Sequence, residues 1–143
     1  MDFSGAYDAL AQRLEDDLVP DPVKVVSRKG GPFRGFPERP ALILLETGVS
    51  KVTDGDGHQP ISWMARGRIV IYADQSADDE TPGDKLLALI DGVLSACAWK
   101  AERNEAPAFD GYSSTLGGKV LGVWLDDDAD IQDDPDNPAQ VAI

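Results

Sequence analysis

The sequence predicts an α+β fold, in which a mainly antiparallel sheet has two helices packed on one face. Two stretches repeat apolar residues with the period of an amphipathic helix, whereas the other apolar runs are short and bounded by glycine, proline or aspartate. The predicted order is helix, three strands, helix and two strands. No repeat or linker divides the 143 residues, so we expect one domain over residues 1–143.

The first half of the chain predicts a helix followed by three strands. Ser4 is a suitable N-cap for an amphipathic helix over residues 4–18, which two prolines end. Strands are predicted at residues 23–28, 41–46 and 61–73. Two Asp-Gly pairs in the segment "TDGDGHQP" predict a hairpin between the second strand and the third. In the third strand, Ile69 and Ile71 alternate with residues of the other face, namely Arg66, Arg68, Val70 and Tyr72.

The second half predicts a helix and two strands. Thr81, Pro82 and Asp84 resemble a helix start, and an apolar stripe continues the helix to about Arg103. Residues 119–125 and 139–143 are predicted strands, and the aspartate-rich residues between them are a predicted loop.

Composition restricts both the location and the class of partner. The acidic N-terminus lacks the basic and apolar regions of a signal peptide, and a lone cysteine, Cys97, is typical of a reducing compartment. We therefore expect a cytosolic protein that does not associate with membranes. The net charge of −13 argues against specific binding of nucleic acid.

Charge is distributed unevenly along the chain. Residues 24–39 contain five basic residues and one acid, whereas seven of the eleven residues at 126–136 are acidic and no basic residue follows Lys119. The sequence therefore has a basic segment near its beginning and an acidic segment (residues 126–136) near its end.

No catalytic constellation is recognisable, so we expect neither an enzyme nor a cofactor. His58 lies in the predicted hairpin turn, and Cys97 lies on the apolar stripe of the second helix, where a core role is expected. The "GGK" at residues 117–119 lacks the other residues of a phosphate-binding loop.

The acidic segment partly resembles a calcium-binding loop. Asp126, Asp128 and Asp130 match the first three ligand positions of an EF-hand, but Ile131 and Asn137 stand where glycine and glutamate are required. No specific metal site is therefore predicted.

The order of "ERPALILLE", "ISWMARGRIVIYA", "PGDKLLALIDGVLSA", "TLGGKVLGVWL" and "AQVAI" resembles the tail terminator, or tail completion, family of long-tailed phages and prophages. The resemblance covers nearly the whole chain. It implies a structural protein that forms a ring, typically of six subunits, on the finished tail tube. Such a ring stops tube polymerisation and provides the surface to which the head connector docks, so its location would be the virion, after assembly in the bacterial cytoplasm.

In a head-to-tail ring each subunit contact joins two different surfaces, so the uneven charge suggests an interface. The candidate interface residues are Arg28, Lys29, Arg34, Arg39, Trp124, Asp126, Asp127, Asp128 and Asp130. Alternatively, the acidic segment lines a bore through which DNA passes, or both charged segments are solvated loops.

Two other functions remain open at this point. A head-closure or neck adaptor of the head–tail junction is expected to share this size and element order. An acidic DNA mimic would also explain the net charge, although most of its carboxylates would here lie in predicted loops.

Overall fold

The computed structural model describes residues 2–28, 40–53, 60–72, 82–125, 130–132 and 140–142. Within these ranges the elements are α1 (Phe3–Leu18), β1 (Val25–Ser27), β2 (Ala41–Thr53), β3 (Pro60–Tyr72), α2 (Pro82–Cys97), a 3-10 turn (Ala101–Arg103), β4 (Asp130–Gln132) and β5 (Gln140–Ala142). The predicted order is confirmed from the first helix through the three strands to the second helix.

The five described strands form one sheet in the order β1-β2-β3-β5-β4. Only the β1–β2 pair is parallel among these strands, so the prediction of a mainly antiparallel sheet is confirmed. The β2–β3 hairpin is its longest pairing, from Ala41 opposite Tyr72 to Thr53 opposite Pro60. The turn between them, with His58, lies outside the described residues.

Both helices pack on the same face of the sheet, as predicted. The core on this face joins α1 and α2 to the inward residues of β2 and β3, namely Tyr7, Leu14, Leu18, Leu42, Leu44, Ile69, Ile71, Leu86, Leu89, Val93, Ala96 and Cys97. The alternate strand residues form a second buried cluster on the opposite face: Ala41, Ile43, Val70 and Tyr72.

The far part of the hairpin extends beyond its neighbouring strands. β1 pairs with β2 only at residues 41–43, and β5 pairs with β3 only at residues 70–72. Residues 46–53 and 60–68 therefore form a two-stranded ribbon (the ribbon) with no other strand along its edges in the described part of the chain.

Both predicted helix boundaries need correction. Asp2, rather than Ser4, caps α1, because its carboxylate accepts a hydrogen bond from the Gly5 N–H at 2.8 Å. The second helix ends at Cys97 and does not reach Arg103. Beyond it the backbone pairs with residues 112–114, and the Arg103 side chain donates to the carbonyl of Ala96 at 3.0 Å. Thr81 lies outside the described residues.

The predicted strand at residues 119–125 is wrong, because these residues form an irregular segment. Val123 and Leu125 pack against the helix-side core, while the Trp124 indole lies over Gly122. The predicted aspartate loop is also wrong in part, since β4 lies within it and pairs with β5. The terminal strand itself is confirmed at Gln140–Ala142.

Candidate interaction surfaces

Trp124 lies on the surface in a fixed position. Its Nε1 donates to Asp110 Oδ2 at 3.0 Å, and its ring centre lies 5.5 Å from that of Phe109. A Cβ atom at position 122 would lie 2.8 Å from the indole, so glycine at this position leaves room for the ring. About half of Trp124 nevertheless remains exposed.

Trp124 belongs to a larger exposed patch, which we call the aromatic surface (Leu94, Phe109, Tyr112 and Trp124). Phe109 is 85% and Tyr112 80% exposed. Leu94, Tyr112 and Trp124 line one shallow pocket, with Cys97 and Val123 among its other residues. Isolated exposed apolar residues are common on protein surfaces, but a contiguous group of aromatic rings is typical of an interaction site.

Asp110 organises the turn beneath the aromatic surface. Hydrogen bonds from the Ser113 hydroxyl, the Ser113 and Tyr112 N–H groups and the Trp124 indole lower the pKa of this carboxyl to about 2. The carboxylate therefore stays ionised at neutral pH and holds the turn and the indole together.

A second carboxylate, Glu105, fixes the "TLGG" turn at residues 115–118. Its two oxygens accept hydrogen bonds from the Arg13 guanidinium, the Ser114 hydroxyl and the Gly117 N–H. Leu116, Gly117 and Gly118 have positive φ angles, so the turn requires a left-handed backbone that glycine adopts readily. The turn that contributed to the family resemblance is thus positioned by an ion pair with α1.

Neither buried ionisable group in this region is suited to proton transfer near neutral pH. The Arg13 hydrogen bond and those from Gly117 and Ser114 lower the pKa of Glu105 to about 2, against the opposing effect of burial. Burial raises the pKa of the Cys97 thiol to about 11. Cys97 is a core residue, as predicted.

Arg28 is the one predicted basic interface residue whose side chain is described. It forms ion pairs with Asp8 and Glu46 of its own chain, and its guanidinium lies 5.3 Å from the centre of the Tyr7 ring. Its charge is therefore neutralised within the subunit. It borders an open groove between α1 and β2 that also includes Phe3, Gly48 and Val49.

The other charged residues of the predicted interface are mostly absent from the described ranges. Lys29, Arg34, Arg39, Asp126, Asp127 and Asp128 lie outside the described residues, and for Asp130 only the backbone is described, in β4. The structure therefore brings none of the predicted acidic and basic residues together within its described ranges.

A pair of arginines that the sequence-based reasoning did not select is exposed on the ribbon. Arg66 and Arg68 alternate with the inward residues of β3 and follow the exposed Met64 on the same face. The alternating pattern of β3 contains the signal for this face. The pair lies outside the basic segment at residues 24–39, so the distribution of charge along the chain does not indicate it.

Within the described residues no group of three or more His, Cys, Asp or Glu side chains is arranged to bind a metal ion. Neither of the described helices has the length and apolar character of a membrane span. Comparisons of the chain with protein-family models, with curated proteins and with solved structures gave no match.

Proposed function

We propose that this chain is a tail terminator of a phage or prophage, which closes into a ring on the end of the tail tube. The ring stops tube polymerisation and offers its free side to the head connector. Its location would be the tail–head junction of the virion. The observation that best supports an assembly role is the aromatic surface around Trp124, which is exposed and yet held in one conformation.

The aromatic surface has the properties of an interface. Large aromatic side chains contribute most of the binding energy in many protein contacts, and tryptophan and tyrosine are enriched among them. The hydrogen bond from Trp124 to Asp110 and the contact with Phe109 reduce the conformational freedom that association would otherwise remove. A partner thus meets a surface that is already ordered.

Ring formation requires two different surfaces on each subunit, because a head-to-tail contact is heterologous. The described residues offer two candidates on opposite sides of the sheet. The aromatic surface lies on the helix side, next to α2, whereas Arg66 and Arg68 lie on the other side. This separation suits a subunit that contacts one neighbour on each side.

The acidity of the chain is compatible with a ring through which DNA moves. With a net charge of −13, the subunit repels phosphates on average, so DNA would pass without being retained. The same charge favours a protein partner over a nucleic-acid partner.

The proposal is tested by native mass spectrometry over a wide protein concentration range, followed by electron microscopy with purified tail tubes. We expect a closed ring of about six subunits, and particles that cap one end of each tube and prevent further elongation. A protein that leaves tube ends bare and elongation unchanged would refute the function. Binding to the portal complex rather than to tubes would instead support the neck-adaptor alternative.

A further inference from the structure

We infer that residues 98–125 (the strap) open and close on the two helices as one unit, while the sheet and the helices stay folded. Two ion pairs attach the strap to α1. When the strap opens, the thiol of Cys97 becomes accessible. The inference concerns the free subunit and does not depend on the proposed ring.

The hydrogen bonds of the strap lie mainly within the strap itself. Its two isolated bridges, Ala98 with Ser113 and Pro107 with Ser114, join strap residues to one another. Within the described residues, its backbone hydrogen bonds to the rest of the chain reach only the last turn of α2. None of the described strands pairs with the strap. The segment can therefore leave the helices without breaking the pairing of the sheet.

Few apolar side chains attach the strap to the core. Ala108 and Leu116 are buried, and Val123 and Leu125 pack against the helix-side core while remaining partly exposed. Four large hydrophobic side chains of the strap are exposed instead, namely Phe109, Tyr112, Leu121 and Trp124. Segments with few buried apolar contacts open at a lower free energy than the strands and helices of a core. We therefore expect the strap to open more often than the whole subunit unfolds.

Two ion pairs of opposite polarity attach the strap to α1. Arg13 and Asp17 are one helical turn apart, so they lie on the same face of α1. Arg13 pairs with Glu105 at 2.8 Å, and Asp17 pairs with Arg103. Because each element presents one cation and one anion, only one alignment of the strap satisfies both pairs. The closed position is thus set by charge as well as by packing.

Cys97 lies where the strap meets the end of α2. It is 3% exposed, and its carbonyl accepts a hydrogen bond from the Ser114 N–H at 3.0 Å. Burial has the largest effect on the pKa of this thiol and raises it, but the charges of Arg13, Arg103 and Asp17 also act on it. The thiol is therefore close to both ion pairs, and its rate of labelling should report on the opening of the strap.

Opening of the strap would also divide the aromatic surface. Phe109, Tyr112 and Trp124 belong to the strap, whereas Leu94 belongs to α2. A partner that binds the intact surface would meet it only in subunits whose strap is closed, so the opening equilibrium would reduce the apparent affinity by the fraction that is open.

Labelling of Cys97 in the full chain by a thiol-specific chromogenic disulfide tests the inference. The rate is measured at urea concentrations below the unfolding transition and divided by the rate for the denatured protein, which gives the opening equilibrium constant. We expect this constant to exceed the global unfolding constant from circular dichroism by at least about 30-fold, with a weaker dependence on urea. In hydrogen exchange, the Trp99 and Ser114 amides should exchange before those of β2 and β3.

Two variants of α1 test the role of the ion pairs. Asp17→Ala removes the partner of Arg103 and should speed the labelling of Cys97 by about 10-fold. Glu15→Ala removes an exposed acid from the same helix and should change the rate by less than about twofold.

Labelling that follows global unfolding with its full urea dependence would overturn the inference. So would strap amides that exchange together with those of the strands, or equal labelling rates for the two variants. None of these measurements involves tail tubes, so the inference and the proposed function can fail separately.

Discussion

Arg13 and Glu105 form a two-pronged ion pair that joins α1 to the segment before the "TLGG" turn, 92 residues later in the chain. The two contacts measure 3.1 Å and 2.8 Å, and the Glu105 side chain is only 2% exposed. The hydroxyl of Ser114 bridges both partners, donating to Glu105 and accepting from Arg13. The position of the "TLGG" turn therefore depends on one buried carboxylate.

Removing that carboxylate should destabilise the fold. Glu105→Ala leaves the largely buried Arg13 guanidinium without its partner, which we expect to cost about 3 kcal/mol in the free energy of unfolding. Urea denaturation followed by circular dichroism measures the loss. The exposed neighbour Glu102 provides the control, because Glu102→Ala should change stability by less than about 0.5 kcal/mol. Equal midpoints for the two variants would contradict the assigned role.

The Glu105 carboxylate should also make the fold less stable in acid. The pKa of Glu105 is about 2 in the folded protein against an ordinary 4.5, so the unfolded chain binds the proton more readily. Its contribution of about 3 kcal/mol is complete above pH 4.5 and is lost as the pH falls from there toward 2. The pKa of Asp110 is also lowered, so this carboxylate likewise contributes stability that is lost in acid.

Stability measured between pH 6 and pH 2.5 checks this dependence by comparing the parent chain with Glu105→Gln. The variant starts less stable, but its stability should fall less steeply because position 105 no longer titrates. Parallel curves for the two proteins would show that another group governs the acid transition.

Trp124→Ala should separate assembly from folding. Since Trp124 is 52% exposed, we expect its removal to cost the monomer no more than about 1 kcal/mol, yet to weaken association by about 30-fold. Trp63 is the matched control, because it is 41% exposed but lies on the α1 side of the ribbon. Chemical denaturation and native mass spectrometry give the two values. Equal association by the two variants would remove Trp124 from the interface.

Cys97 should be unreactive in the folded chain. It is 3% exposed and burial raises the pKa of its thiol to about 11, so little thiolate is accessible at pH 8. A thiol-specific chromogenic disulfide should label it at least about 100-fold more slowly in the native protein than in denaturant. Native labelling at the denatured rate would show that α2 does not protect this position.

Local signals account for the elements that the sequence predicted correctly. The alternation of β3 places Ile69 and Ile71 in the helix-side core, and the stripe of α2 places Leu86, Val93 and Cys97 there too. Asp84 lies in the first turn of α2, as expected for a helix start. In each case residues close in sequence determine the structure, so their pattern is sufficient to predict the element.

The errors arise where distant residues determine the structure. Residues 119–125 alternate like a strand, but the hydrogen bond of Trp124 to Asp110 and the packing of Leu125 on the core favour an irregular path. The pairing of Arg13 with Glu105 has no signal in either local sequence. Trp124 is exposed, as an interface residue must be in the free subunit, whereas the charge of Arg28 is neutralised by Asp8 and Glu46.

The edges of the ribbon, along which no other described strand lies, also affect how the purified protein should behave in solution. Unpaired strand edges can add further strands, and charge repulsion is one means of preventing such growth. This chain has a calculated isoelectric point near 4.2, so that repulsion disappears in mildly acidic buffer and is screened by high salt. Precipitation with increasing β-sheet content is therefore expected near pH 4, before the acid unfolding of individual subunits is complete.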